Sequence, residues 1–301
     1  MEDKTKKLLT FEVTEPTKKK EQTPTRKRKR DLPVHERPDF YLVVLAGCIM
    51  SFQAGFINVI SILKTGTTIS HNTGTSSKMG ISIGNMDKNG LLMGGGLILS
   101  FLAGGTLIGF FIRKQIFDFN RKYGIFLMIE AFLLFLFKCA FDLQLPQMAV
   151  MFGSFACGVQ NALLTNLSGA VVRTTHVTGM MTDTGLILGN WIRLGSEFKE
   201  TWRLKVLVPI ITTFMLGGTV SSVLFNIFDY HAILFAVFFI GLFGFLIILW
   251  RLLKKYKYDK FRMFKEKLIG GWGKKQNKDN FNVNIRNDKN NKNDFKTLNI
   301  K

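Results

Sequence analysis

Six stretches of this chain, 41–63, 91–112, 124–143, 146–168, 205–227 and 231–250, each run for about 20 residues with almost no charge, the length a helix needs to cross the hydrocarbon core of a bilayer. Lipid cannot hydrogen-bond to a bare backbone, so long apolar runs of this kind must close their own N–H and C=O groups as helices. The expected fold is therefore an all-α integral membrane protein with about six transmembrane helices. An apolar share of 47% understates this, because two polar ends dilute it: residues 1–38 and 251–301 hold 28 of the 41 lysines and arginines. On a soluble protein the net charge of +20 would point to nucleic acid. Here the charge flanks the apolar runs, where insertion rules and anionic headgroups place it. The expected partners are the lipid bilayer and anionic lipid at the basic flanks, and not nucleic acid. RKRKR at 26–30 fits the same juxtamembrane role.

Lysine and arginine in the short connections set the orientation. The second connection carries Arg113, Lys114, Arg121 and Lys122, and the fourth carries Arg173, Arg193, Lys199 and Arg203, whereas the third and fifth carry none. Both termini are accordingly expected in the cytoplasm, with the first span acting as an uncleaved insertion signal. The first connection, with Lys64, Lys78 and Lys88, is the exception. If residues 73–87 and their later counterpart also crossed, the 113–122 loop would move outside, so both are expected as re-entrant or surface-lying segments. Glu130, inside the third span, costs about 2.5–3.5 kcal/mol at mid-membrane, which the surrounding Phe, Leu and Ile offset at roughly 0.3–0.6 kcal/mol each.

Internal repetition is the second constraint. HNTGTSSKMGISIGN at 71–85 matches HVTGMMTDTGLILGN at 176–190 without a gap. Upstream, Gly55 and Asn58 match Gly158 and Asn161. Downstream, FLAGGT at 101–106 matches FMLGGT at 214–219. Three blocks in register argue for a duplicated unit of three spans, and an odd number of spans makes the second copy enter from the opposite side. The expected organisation is a basic arm at 1–38, two inverted three-helix repeats at 39–144 and 145–250, each with a re-entrant or short broken helix, a basic amphipathic segment at 251–275, and a disordered Asn/Lys-rich tail at 276–301. Folds of this kind often bind a solute near the midplane where the repeats meet.

GFINVISI followed by SHNTG, and GVQNALL followed by VRTTHVTGMMTDTGLILG, resemble the YoaK-like membrane protein family (domain of unknown function 1275) over roughly residues 41–250. Gln160-Asn161, Arg173-Thr174-Thr175, Thr178-Gly179 and Thr182-Asp183 look like that family's signature. The resemblance implies the membrane class and names no substrate.

Each block reads as a polar turn, HxTG, leading into a helix. Thr73 or Thr178 is placed to cap that helix, leaving Gly74 or Gly179 at a start whose free N–H groups and positive dipole end favour an anion. His71 and His176 have the chemistry of a proton relay, and Asp183 falls on a similar face to His176. A histidine bonded to a loop carbonyl is the plainer alternative. Asn58 and Asn161, inside spans, suit interhelical hydrogen bonding and substrate contact equally. Together these residues are the expected site for a small solute, between the two HxTG segments. Gly80 with Gly84, Gly185 with Gly189, Gly105 with Gly109 and Gly218 with Ser222 stand four apart, the spacing of a helix-packing seam. Lys78 and Asp183 occupy equivalent positions with opposite charge, which suggests an ion pair between the halves. Cys48, Cys139 and Cys157 lack metal-ligand spacing, and no catalytic order of Ser, His and Asp and no HExxH motif is present, so neither a metal, a cofactor nor an enzymatic activity is expected. The functional readings are a small-solute permease, a non-transporting membrane scaffold or assembly factor and, behind these two, a membrane-embedded enzyme using His176 and Asp183.

Overall fold

In this computed structural model residues 34–36, 40–112, 121–168 and 173–294 are described, with side chains as far as Met263. Met1–Phe40 and Tyr41–Lys301 are separate units. In the first, the described structure is the 3-10 turn Val34–Glu36 and the opening residue of α1. The rest of the basic arm, including 26–30, and Arg113 and Lys114 lie outside the described residues.

Among the described residues every regular element is helical: α1 Phe40–Thr65, α2 Asn72–Gly84, α3 Lys88–Phe111, α4 Arg121–Asp142, α5 Pro146–Ser168, α6 Val177–Leu194, α7 Leu204–Phe228 and α8 Ile233–Asp294. Five stretches are long and apolar enough to cross a membrane: α1, α3, α4, α5 and a 65-residue stretch, Lys199–Met263, that holds α7 and the start of α8. That last stretch is broken at Asp229, whose φ of +52° ends α7 and starts the 3-10 turn Asp229–Ala232. At 1.5 Å per residue, the 26 residues of α1 reach about 39 Å. The 13 residues of α2 reach only about 20 Å, short of a 30 Å hydrocarbon layer, and α6 is not among the apolar stretches either. Large apolar side chains point outward, Phe110 at 83% and Phe238 at 65% exposed, as lipid-facing residues do and as water-facing ones rarely do.

The turns follow from local hydrogen bonding. Between α4 and α5, Gln144 takes φ +59°, its N–H bonds the Phe141 carbonyl, and the Leu145 N–H bonds the Ala140 carbonyl, after which Pro146 opens α5 where a missing N–H costs nothing. The α2–α3 turn repeats this with Met86 at φ +53° and the Asp87 N–H on the Ser82 carbonyl, and the Asp87 carboxylate then caps α3 through the Asn89 N–H.

Glycines set the helix crossings. A Cβ on Gly158 would collide with the Phe101 carbonyl, and one on Gly104 with the Phe155 carbonyl, which brings α3 and α5 to backbone contact. At the aligned positions, Gly55 lies on the Phe214 carbonyl and Gly217 on the Phe52 carbonyl, which does the same for α1 and α7. Serine hydroxyls fasten both crossings: Ser154 donates to the Leu97 carbonyl at 2.8 Å, and its counterpart Ser51 donates to the Ile210 carbonyl at 2.9 Å. The third crossing joins α4 and α8, where Gly124 and Gly244 lie on each other's carbonyls.

The glycines expected as seams behave differently. Gly218 does pack, its Cβ position 3.0 Å from Val59 Cγ2, and Ser222 is half-buried. A Cβ on Gly80, Gly84, Gly105, Gly109, Gly185 or Gly189 would meet nothing within 4 Å. Four-residue spacing identifies a smooth helix face but not whether another helix covers it, and the covered glycine of FLAGGT is Gly104, one position from the expected Gly105. The backbone of α8 is helical from Ile233 through Asp294. Of Phe261, Phe264 and Leu268, whose helical spacing among lysines marks the 251–275 segment as amphipathic, Phe261 is exposed and the side chains of the other two lie outside the described residues.

At one end of the bundle α1, α4 and the α7–α8 turn are tied by charge. Lys64 Nζ pairs with Asp229 at 2.7 Å and sits 4.5 Å over the Tyr230 ring, while the Tyr230 hydroxyl donates to Asp142, which also pairs with Lys138.

Candidate functional site

The two stretches that lead into α2 and α6 are held by the matched asparagines. Asn161 donates from Nδ2 to the Cys157 carbonyl one turn back at 2.9 Å, which aims its Oδ1 at the loop. That oxygen accepts from Thr174 Oγ1 at 3.0 Å and from the Thr175 N–H at 3.3 Å, and Gln160 Oε1 accepts from the same Thr174 hydroxyl at 3.4 Å. Gln160-Asn161 and Thr174-Thr175 are thus two sides of one clamp. In the first half, Asn58 Oδ1 accepts from the Ile69 N–H at 3.3 Å and from Ser70 Oγ at 3.2 Å. Both asparagines thus anchor the loop that follows their own helix.

Beyond the clamps the halves part. His71 and His176 occupy the N-cap positions of α2 and α6, and neither helix has a side-chain cap bond, so Thr73 and Thr178 do not cap. Their carbonyls instead accept from Ser77 and Thr182 within the helix. The His71 ring lies directly over Gly74, where a Cβ would collide with it. Gly179 has open space at the same place, and His176 lines a cleft instead.

That cleft, about 450 Å³, runs between α3 and α5 and is lined by Asn161, Thr165, Asn166, Arg173 and His176, with Gly105 and Gly109 as its smooth wall. The open faces of those two glycines therefore have an occupant volume rather than a partner helix. Asn166 is held in place by the Tyr123 hydroxyl, which donates to it at 3.2 Å, and donates in turn to the Ile112 carbonyl at 3.3 Å. Burial first, and the Arg173 guanidinium second, hold the His176 imidazole below its ordinary pKa, so Arg173 is the cleft's positive charge at neutral pH. In the first half the positions matching Thr165, Asn166 and Arg173 are Ile62, Leu63 and Thr68.

A different cleft, about 280 Å³, lies between α2 and α3, with Thr67, Thr68, Thr75 and Lys78 on its wall, and residues 71–74 are not part of that wall. Of the two HxTG segments expected to frame one site, the second thus sends His176 into the Arg173 cleft, and the first keeps its histidine on Gly74. Asp183 does not meet Lys78. Its carboxylate pairs with Arg203 at 2.9 Å, 20 residues on in its own half, because the turn after α6 folds Arg203 back over the helix. Among the described residues no group of three or more His, Cys, Asp or Glu is placed to hold a metal ion.

Arg173 was legible as part of a motif and as a charge of the fourth connection, and Glu130 as an isolated charge. The latter, wholly buried, accepts from Gln53 Nε2 on α1 at 3.2 Å. Residues 46–246 match the model of a family described as "Protein of unknown function (DUF1275)". No curated protein and no solved structure matches the chain.

Proposed function

Because the chain belongs to the DUF1275 family, whose description names no reaction or solute, we propose its function from its clefts: it is a multi-pass permease for a small anionic solute, bound between α3 and α5. The cleft carries the reading. It sets the exposed guanidinium of Arg173, in the connection after α5, beside amide and hydroxyl groups of α5, a cation and donors together that suit an anion.

The proposed architecture is six spans in two inverted repeats, 39–144 and 145–250, with both termini cytoplasmic. It is supported by the break at Asp229 within the 65-residue stretch, by the matched contacts of Gly55 with Gly158 and Ser51 with Ser154, and by the basic residues of the second and fourth connections. On this arrangement α2 and α6 enter from opposite faces without crossing, the Arg173 cleft opens toward the cytoplasm, and the Lys64–Asp229–Asp142 cluster closes the other end.

A scaffold role is favoured by one observation, the uncovered faces of Gly80 with Gly84 and Gly185 with Gly189, which would admit a partner helix. Uptake of labelled small anions (carboxylates, inorganic phosphate, sulfate) into proteoliposomes, with the same panel screened for thermal stabilisation, separates the two. A solute at 100 times its Kd adds about 2.7 kcal/mol of stability. Neither uptake nor stabilisation by any member would sink the permease.

A further inference from the structure

We propose that Glu130 is a proton-binding site inside the membrane span, occupied by a neutral carboxylic acid in this structure and exchanging its proton through the apolar cavity over Gln53. The site stands on geometry independent of the Arg173 cleft. Glu130 has no exposed surface, and its Oε1 accepts one hydrogen bond, from Gln53 Nε2. Among the described residues its Oε2 has no hydrogen-bond partner. Among the described residues no cation pairs with it.

A carboxylate here would keep a full charge in a low-dielectric core with a single neutral donor to stabilise it, whereas the acid leaves only one hydroxyl unsatisfied. Burying an isolated ion costs far more than burying an unpaired hydroxyl, so the proton stays. The surrounding elements offer nothing to reverse this. α1 brings neutral Gln53 and, among titratable groups along its buried course, Cys48. α5 brings the buried thiol of Cys157. α8 presents Gly241 and Gly244 toward α4, and its residues 233–250 include no titratable group. On α4 itself Lys138, two turns away, is paired with Asp142.

Gln53 supplies the way out. It is the amide on the wall of a half-open cleft of about 660 Å³ between α1, α7 and α8, otherwise lined by apolar side chains together with Cys48 and Thr213. Release is a plain proton transfer: the Oε2–H bond breaks, its electron pair stays on the carboxylate, and the proton passes to a water that reaches Oε2 past Gln53, because Glu130 itself does not line this cleft. The apolar walls hold little water beside Gln53, so ionisation and hydration occur together. The protein thereby acquires two forms, dry with Glu130 neutral and wet with Glu130 charged.

Infrared difference spectroscopy of the full chain in nanodiscs, titrated in pH, tests this. The expected result is a carboxylic-acid carbonyl band at neutral pH that fades on alkalinisation, is missing in Glu130→Gln, and is shifted rather than deleted in Glu130→Asp. Gln53→Leu should move the same band, because it removes the one hydrogen bond to Oε1. Glu130→Gln, a neutral isostere, should also keep the parent's denaturation midpoint at neutral pH. Overturning results would be a Glu130→Gln spectrum identical to the parent's, a band that stays constant at every pH where the protein remains folded, or a much lower midpoint for Glu130→Gln, which would mean that the native group is the carboxylate.

Discussion

The lead-in to α2 and the lead-in to α6 are tied down by aligned asparagines, yet one lays its histidine on its own helix and the other turns it into a cleft with an arginine. The shared part consists of side chains that satisfy backbone groups: Asn58 and Asn161 on the loops, Ser51 and Ser154 on carbonyls across a crossing. What differs are side chains along the cleft, such as Ile62 against Thr165, Thr68 against Arg173, and Leu63 against Asn166, which also bonds the Ile112 carbonyl. Buried backbone groups must be paired wherever the fold is kept, which gives the matched asparagines and serines the same task in both halves.

The largest effect should come from the shared part. Gly158→Leu and Gly55→Leu each drive a side chain into a backbone carbonyl, at a cost of about 1–3 kcal/mol or more, and both should remove most of the folded protein in size-exclusion profiles. Gly185→Leu and Gly80→Leu, whose faces are open, should leave monomer yield unchanged. Loss of fold from Gly158→Leu with none from Gly55→Leu would show that the two halves do not share a frame.

A middle-sized effect should separate frame from cleft. Asn161→Ala and Asn58→Ala each strand buried loop donors, costing about 1–3 kcal/mol in thermal unfolding. Arg173→Gln should leave the unfolding curve in place while removing anion stabilisation and uptake, and Thr68→Arg in the first half should not restore them. Restoration would mean that the two clefts are interchangeable.

How much of this was legible in the sequence depends on the range over which each signal acts. Span positions follow from local hydropathy, and the expected 146–168 and 205–227 correspond to Pro146–Ser168 and Leu204–Phe228. Asn58 and Asn161 stood out because a polar amide in an apolar run needs a partner, but the partner could be loop or solute until the fold brought Ile69 and Thr175 to them. Gln53 and Glu130, 77 residues apart, are connected only by the packing of α1 on α4. Equivalent position suggested Lys78 with Asp183, whereas reach decided for Arg203.

The smallest effect concerns that pair. Asp183 and Arg203 are both substantially exposed, so a double-mutant cycle with Asp183→Asn and Arg203→Gln should give a coupling of about 0–1 kcal/mol. The cycle of Asp183→Asn with Lys78→Met should give a value within about 0.5 kcal/mol of zero, as independent sites do. A clear coupling in the second cycle would reinstate a contact between the halves at these positions.

The meeting of Gly124 with Gly244 has a consequence for how the protein can change over time. At an ordinary interface a residue that grows on one helix can be accommodated by one that shrinks on the other, so the pair drifts while its summed volume is kept. Here both members are already the smallest residue and each rests on the other's carbonyl oxygen. No compensating substitution exists, and variation in either half must be taken up everywhere except along this line.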